Sequence, residues 1–427
     1  MSHRRDLKLW STACLAALAI ALPLGAAQAQ GPVTLTFTRA GDSATVAKVF
    51  DPMIKAFEEA NPNVKVKSVP MGFDEANKRF PTMVATGTLP DVTLPPDSLS
   101  ASLGQKGAFL VLDGKLSKDM VADIPKSMWS APCANADGKT IGIPANAGAL
   151  VLWYNATLFT KAGLDPNKPP KTWDEFVTYA KAIKEKAGVK GALGLNGFAR
   201  NDIDDMFAAT LASRSGGQWY WDNKTRSVRV DKAVAEDLDF LHSLVAQGLT
   251  QPNVDAYNRA DTRKLLRDGD VAMTFDGPWV IGSLKGSADP TSPQSPYRTA
   301  LLPSSNSPGA TSLNLSCWNI SKTTKHPDLA IKFVEFVSSA ANTLAHAQGY
   351  GVIPVRTSVL KSDAFAHQPW NALALAAAGD TVPAKPGVED LSLVEKVIPG
   401  MIQSVLLGKA KGMEALKSLA ESQGWPH

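Results

Sequence analysis

The chain has 427 residues, a formal net charge of +4 and 44% hydrophobic residues, a length that suits two globular domains. Half of the excess charge lies in Arg4, Arg5 and Lys8 against Asp6, and no Lys/Arg cluster follows. That balance excludes the electrostatic footprint of a nucleic-acid binder.

The first segment, Arg4 to Ala29, has the layout of a secretory signal peptide. A positive n-region precedes a short apolar core, Leu15 to Leu24, and the small-x-small site Ala27-Gln28-Ala29. The core is too short to span a membrane, and no later run reaches about 18 apolar residues. The expectation is an exported, soluble protein once residues 1–29 are removed. Arg4-Arg5-Asp6-Leu7 leaves twin-arginine export open beside the general secretory route. Two of the three cysteines, Cys133 and Cys317, lie beyond the leader. In an exported protein such a pair can oxidise to a disulfide, or stay as two separate buried thiols, and the sequence leaves both readings open.

Val33 to Phe37 alternates branched and aromatic residues and predicts a first strand. A helix follows through Phe50, Met53, Ile54 and Phe57, then strands over 64–69 and 89–94 separated by a helix over 76–85. Leu150 to Tyr154 is a short apolar run after Gly and Pro, the pattern of a buried strand. Thr172 caps the next helix, with Glu175 as its capping-box partner. Further along, 192–195, 271–275 and 318–320 read as strands, and 204–211, 231–246, 261–267 and 327–337 as helices. A Ser/Pro/Asn/Gly loop is expected from Ser304 to Ser312, and the remainder is mostly helical. Strand–helix alternation predicts α/β architecture with largely parallel sheets covered by helices.

A search for catalytic and metal-binding patterns finds no His-Glu-x-x-His, Gly-x-Ser-x-Gly or P-loop, and no metal-ligand spacing among six histidines. Asp204-Asp205 falls at a helix start, where the macrodipole accounts for it. No catalytic residue, metal or cofactor is assigned. Binding residues are better supported, because ligands of open α/β sheets sit beyond the carboxyl ends of the strands. The corresponding loops carry Arg39 and Asp42, Phe73 and Asp74, Asp97, Arg200, and Asp276 to Trp279. Acidic and basic groups beside aromatic plates suit the hydroxyls and C–H faces of a sugar. Trp318, Tyr350 and one member of Trp219-Tyr220-Trp221 complete the candidates, while Trp173 reads as core packing.

The wording of several segments resembles the family 1 extracellular solute-binding proteins of ABC importers, the maltose-binding-like group. The segments are Ile143-Pro144-Ala145, Leu152-Trp153-Tyr154-Asn155, Pro169 to Phe176, Asp270 to Met273 with Gly277-Pro278-Trp279, and Gly349 to Pro354. The resemblance implies a two-lobed type II periplasmic-binding fold whose lobes are discontinuous in sequence. Residues 30–155 plus 304–348 would form the N-terminal lobe, and 156–303 plus 349–427 the C-terminal lobe. Cys133 and Cys317 would then share the first lobe, and Trp279 matches the family's ligand-stacking tryptophan. The implied function is capture of a carbohydrate or related polyol by a periplasmic monomer, without covalent change, and delivery to an inner-membrane ABC permease. An anionic ligand is the alternative within the binding class, since Asn167 to Trp173 also resembles glycerol-3-phosphate-binding relatives. A secreted glycan-active enzyme is the remaining rival. Arg39 and Arg200 would converge from opposite lobes, with Asp42, Asp97 and Asp276 as candidate partners that keep a neutral sugar in favour.

Overall fold

A computed structural model describes residues 32–426, apart from 130–131, 136, 223, 285–293, 306–310, 367–387, 389 and 391. The expected signal peptide and most of the Ser304 to Ser312 loop lie outside the described residues. The strands are β1 (Val33–Arg39), β2 (Val64–Ser68), β3 (Val92–Leu94), β4 (Ile143–Ala149), β5 (Val151–Asn155), β6 (Gly191–Gly194), β7 (Trp221–Asp222), β8 (Ser227–Val228), β9 (Val271–Asp276), β10 (Tyr297–Ala300) and β11 (Leu313–Ile320). They build a five-stranded sheet in the order β2-β1-β3-β11-β4, a four-stranded sheet β10-β5-β9-β6, and the ribbon β7-β8.

Both large sheets are mixed, which corrects the expectation of mainly parallel ones. β1 runs parallel to β2 and β3, as βαβ crossovers require, but β11 is antiparallel to both β3 and β4. In the second sheet β6 and β9 are parallel, while β5 is antiparallel to β9 and β10. The antiparallel strands are those near the points where the chain passes between sheets. Their direction is set by that passage rather than by a helical crossover.

The chain changes sheet at Leu150, between β4 and β5, five residues before the neighbourhood of Asn155 that the family resemblance implies. Pairing decides the difference: Val151 to Tyr154 are in register with Asp276 to Met273 of β9. β4 itself is not anticipated, because Ile-Pro-Ala-Asn-Ala-Gly-Ala is poor in strand formers. It is held by β11, with a register shift between Ser316 and Cys317 opposite Pro144. A second difference concerns the segment after Gly349. Ile353 exchanges backbone hydrogen bonds with Ala147 of β4 (2.8 and 2.9 Å), and Val352, Val355, Leu360 and Phe365 join the core of the first sheet. From Val388 onward, Leu393, Val394 and the helices Ile398–Leu406 and Gly412–Gln423 pack in the core of the second sheet.

The first core centres on rings. Phe37 of β1 meets Phe50, Trp318 and Phe333 at 5.5–5.7 Å, and Trp318 meets Phe50 at 5.5 Å. In the second core the helix Asn201–Ser215 is enclosed, with Ile203, Phe207, Ala208, Ala209, Leu211 and Ala212 fully buried. The Thr172–Glu175 capping box forms as expected, and Trp173 is buried with its Nε1 donating to Ser213 Oγ at 3.0 Å.

Cys133 and Cys317 form a disulfide with a Cα–Cα distance of 5.5 Å, both cysteines being fully buried. It ties the segment before β4 to β11, across a sequence separation of 184. A closed loop of that length restricts the unfolded chain by up to about 5 kcal/mol in the chain-entropy treatment. Cys133→Ser with Cys317→Ser should therefore lower the midpoint of urea unfolding relative to the oxidised protein. Equal midpoints would mean that the buried core alone holds these segments together.

Candidate functional site

The carboxyl ends of the parallel strands form two rims that face each other. On the first rim, Arg39 ends β1, Met71 accepts a backbone hydrogen bond from Gly41, and Asp97 opens the helix after β3. On the second, β6 leads to Asn196 and Arg200, and β9 delivers Asp276 into the Gly277-Pro278-Trp279 turn. The rims touch: Arg200 Nη2 lies 3.2 Å from Asp74 Oδ1, and Ser98 Oγ donates to Glu395 at 3.0 Å. Phe73, just before Asp74, and Phe198, two residues before Arg200, are about half exposed.

Trp279 is the aromatic plate between the sheets. It is half-buried, and its Nε1 donates to Asp276 Oδ1 at 2.6 Å. Its ring lies against the backbone of Gly148 on β4, where an added Cβ would come within 2.0 Å of the ring. Glycine at 148 is thus required by the close approach. Asp276 is fully buried and accepts from Arg263 Nε (2.6 Å), Arg263 Nη2 (3.0 Å) and Gly277 N (2.7 Å) as well as from Trp279. This bidentate pair fixes the acceptor, which in turn fixes the tryptophan.

Beside it lies a second charge cluster. Arg259 donates to Asp205 Oδ2 at 2.7 Å and approaches Asp202 and Asp276 at 3.9 and 4.0 Å. Burial would discharge Arg259, but the three carboxylates outweigh it and raise its pKa above the ordinary value. Asn314 of β11 reaches the same Asp205 at 3.2 Å and so links the first sheet to the helix Asn201–Ser215. Asn146, Gly148 and Asn314 sit on one face of the β4–β11 pair by strand alternation. Asn146 Nδ2 and Asn314 Oδ1 are buried without a hydrogen-bond partner.

Arg39 stands apart from these networks. It is 6% exposed, its Nη1 donates to the Ala40 carbonyl at 2.6 Å, and its Cζ lies 3.5 Å from the centre of the Tyr350 ring. Burial pulls its pKa down to about 10, opposed by Tyr350. Burial also pushes the Tyr350 hydroxyl up to about 12 and His346 well below its usual range.

Other expected residues fall elsewhere. Trp318 is 1% exposed in the ring cluster of the first core, not against the cleft, because β11 turns it inward beside Phe37 and Phe50. Asp42 is exposed and caps the helix Ser43–Ala60 by accepting from Thr45 N at 2.8 Å. None of Asp42, Asp97 and Asp276 pairs with Arg39; Asp276 belongs to Arg263, and Arg200 takes Asp74. Asp97 lines a small pocket with Ser98, Tyr220, Leu315 and Val394. Trp219 stacks on Tyr220 at 5.2 Å and is partly buried, while Trp221 is packed against Trp425. The helix-start reading of Asp204-Asp205 misses that Asp205 is a buried partner of Arg259. Sequence reasoning missed Arg259 and Arg263; the expected helix over 261–267 excludes Arg259, whereas the helix runs Arg259–Asp268 and sets the two four residues apart on one face.

Comparison with known proteins gives the family. A family model described as bacterial extracellular solute-binding protein matches residues 52–374. The chain belongs to that family. A Brucella abortus protein named only as a binding protein is 27% identical over 417 residues, 97% of each chain. The multiple sugar-binding protein of Streptococcus mutans is 28% identical over 310 residues, covering 70% of this chain and 68% of the relative. Among solved structures, a Thermotoga lettingae ABC transporter solute-binding protein bound with alpha-D-tagatose superimposes with a TM-score of 0.79 at 25% identity, over 91% of this chain and 98% of that one. The solute-binding protein described here therefore has the two-lobed type II fold, in a family of exported binding proteins. Among its described residues no helix is long and apolar enough to cross a membrane.

Two outcomes follow from the charges around Trp279. Asp276→Asn leaves Arg263 without its buried counter-charge, and urea denaturation should show a loss of about 3–5 kcal/mol; a loss below about 1 kcal/mol would show that Arg263 finds another acceptor. The Arg200–Asp74 pair is solvent-exposed on both sides. Such pairs are worth about 1 kcal/mol at most. Asp74→Asn should change ligand affinity by less than about fivefold in calorimetry.

Proposed function

We propose that this solute-binding protein captures a carbohydrate or related polyol between its lobes in the periplasm and delivers it to an inner-membrane ABC permease. The observation that carries this reading is Trp279, held edge-on by Asp276 and seated across Gly148 where the two sheets meet. An anchored indole face suits the C–H face of a sugar ring, and the partnerless Asn146 Nδ2 and Asn314 Oδ1 suit its hydroxyls. The names of the relatives agree: the Streptococcus protein is a multiple sugar-binding protein, and the Thermotoga protein is bound with a ketohexose. The lobes are read as the units around the two large sheets, exchanging chain at Leu150, near Pro303 and beyond Gly349. The protein acts as a monomer, binding without covalent change. A ligand that touches both lobes only when they close shifts the population toward the closed form by its differential affinity.

A thermal-shift screen of mono- and oligosaccharides and polyols on the mature protein tests the reading, with calorimetry on each hit. Saturable one-to-one binding without turnover is expected, and turnover of a glycan panel would replace a binder by an enzyme. Trp279→Ala should weaken the hit by about 2 kcal/mol or more with unfolding unchanged. Unaltered affinity removes Trp279 from the site.

A further inference from the structure

Arg39 is a buried cation for which the described residues supply no counter-charge. None of the ion pairs among the described residues includes it, and its Nε is buried with no hydrogen-bond partner. Leaving a buried charge unpaired is costly, and native folds accept that cost mainly where a site requires it. The surroundings sharpen the point. Tyr350, stacked on the guanidinium, has a buried hydroxyl without a partner. His346 packs against the same Tyr350 ring at 5.4 Å. Both neighbours stay neutral at pH 7, so the guanidinium is the uncompensated charge of this corner. The nearest acid of its own loop, Asp42, spends its carboxylate on the backbone and hydroxyl of Thr45. Gly41 leaves room for the guanidinium, since an added Cβ would come within 2.4 Å of Arg39 Nη1.

The corner also adjoins the turn that carries the aromatic plate. Tyr350 leads into Gly351, whose Cβ position lies 3.2 Å from the Pro278 carbonyl in the Gly277-Pro278-Trp279 turn. Tyr350 is thus one residue from a contact with the turn that carries Trp279. The free Nε edge of a guanidinium is suited to grip a carboxylate with two parallel hydrogen bonds. One guanidinium flanked by neutral groups balances one negative charge, which matches a carboxylate better than a doubly charged phosphate.

We infer that the ligand is an acidic saccharide, a sugar acid or an oligosaccharide containing one, whose carboxylate is bound by Arg39 and Tyr350. The inference rests on the saccharide-binding reading above and narrows it.

The test is calorimetry on the mature protein with matched pairs: glucose with glucuronate, galactose with galacturonate, and α-1,4-galactotriose with trigalacturonate. Glucose 6-phosphate and sn-glycerol 3-phosphate form a separate arm. The expected result is that an acid binds at least about 30-fold more tightly than its neutral twin, the range of a hydrogen-bonded charge, and weakens as salt rises. Arg39→Met should abolish that preference. The unliganded Arg39→Met protein should melt no lower than the original, because an unpaired buried charge has been replaced by an apolar chain of similar length. A lower melting temperature would instead make Arg39 a structural cation–π partner of Tyr350 and overturn the inference. A neutral sugar that binds as well as its acid also overturns it while leaving the saccharide-binding reading intact. Binding confined to the phosphates overturns the carboxylate assignment, and no binding anywhere removes both readings. Should Arg39→Met fail to fold, the neutral-against-acid comparison on the original protein still decides.

Discussion

One extended run of chain, residues 143–155, belongs to both large sheets, and much of the site depends on that sharing. β4 completes the edge of the first sheet through β11, and after the single residue Leu150 the same run becomes an interior strand of the second sheet. Because β5 pairs in register with β9, the turn that ends β9 is brought onto the backbone of β4. Trp279 can therefore reach Gly148 without any long loop to guide it. The segment after Tyr350 adds to β4 through Ala147 and Ile353, so the Arg39–Tyr350 corner and the Trp279 turn adjoin for the same reason. Changes in the angle between the sheets must be absorbed by the few residues that pass between them.

The molecule treats its buried charges in two different ways. Around Asp276 and Asp205 every cation has an acid: Arg263 forms a fork with Asp276, and Arg259 is shared among three aspartates. Such a network spends its charge internally and confers rigidity, here on the acceptor that orients Trp279. At Arg39 the described residues supply no acid, and burial keeps its neighbours Tyr350 and His346 neutral, the cation itself adding to the effect at His346 only. The contrast is physical: a paired network positions the groups it holds, whereas the unpaired guanidinium keeps a buried charge uncompensated. The rim pair Arg200–Asp74 is of neither kind, because solvent screens both of its members.

The disulfide serves the same framework. It secures the stretch that leads into β4 against β11, the strand on which β4 relies for its pairing. A strand of small residues with a proline has little intrinsic preference for extended structure, so its stability is borrowed from its partner strand and from the covalent link beside it.

The local elements were legible in the sequence because their causes are local. Alternation wrote β1, the 3.6-residue period wrote the helices Ser43–Ala60 and Pro327–Val337, and Thr172 with Glu175 wrote a helix start. The loops after the strands could be named because the carboxyl ends of parallel strands must carry them to one side, and the family wording of Gly277-Pro278-Trp279 singled out the tryptophan. What the sequence could not state is which charges meet. Asp276 and Arg263 are separated by a strand boundary, Asp205 and Arg259 by more than fifty residues, and their pairing arises only when helix Arg259–Asp268 packs beside β9. The inward turn of Trp318, the strand β4 with its proline and glycines, and the solitude of Arg39 were likewise decided by tertiary packing. Periodicity fixes which face of an element is apolar, but pairing, burial and the absence of a partner are properties of what lies opposite, and only the folded chain determines that.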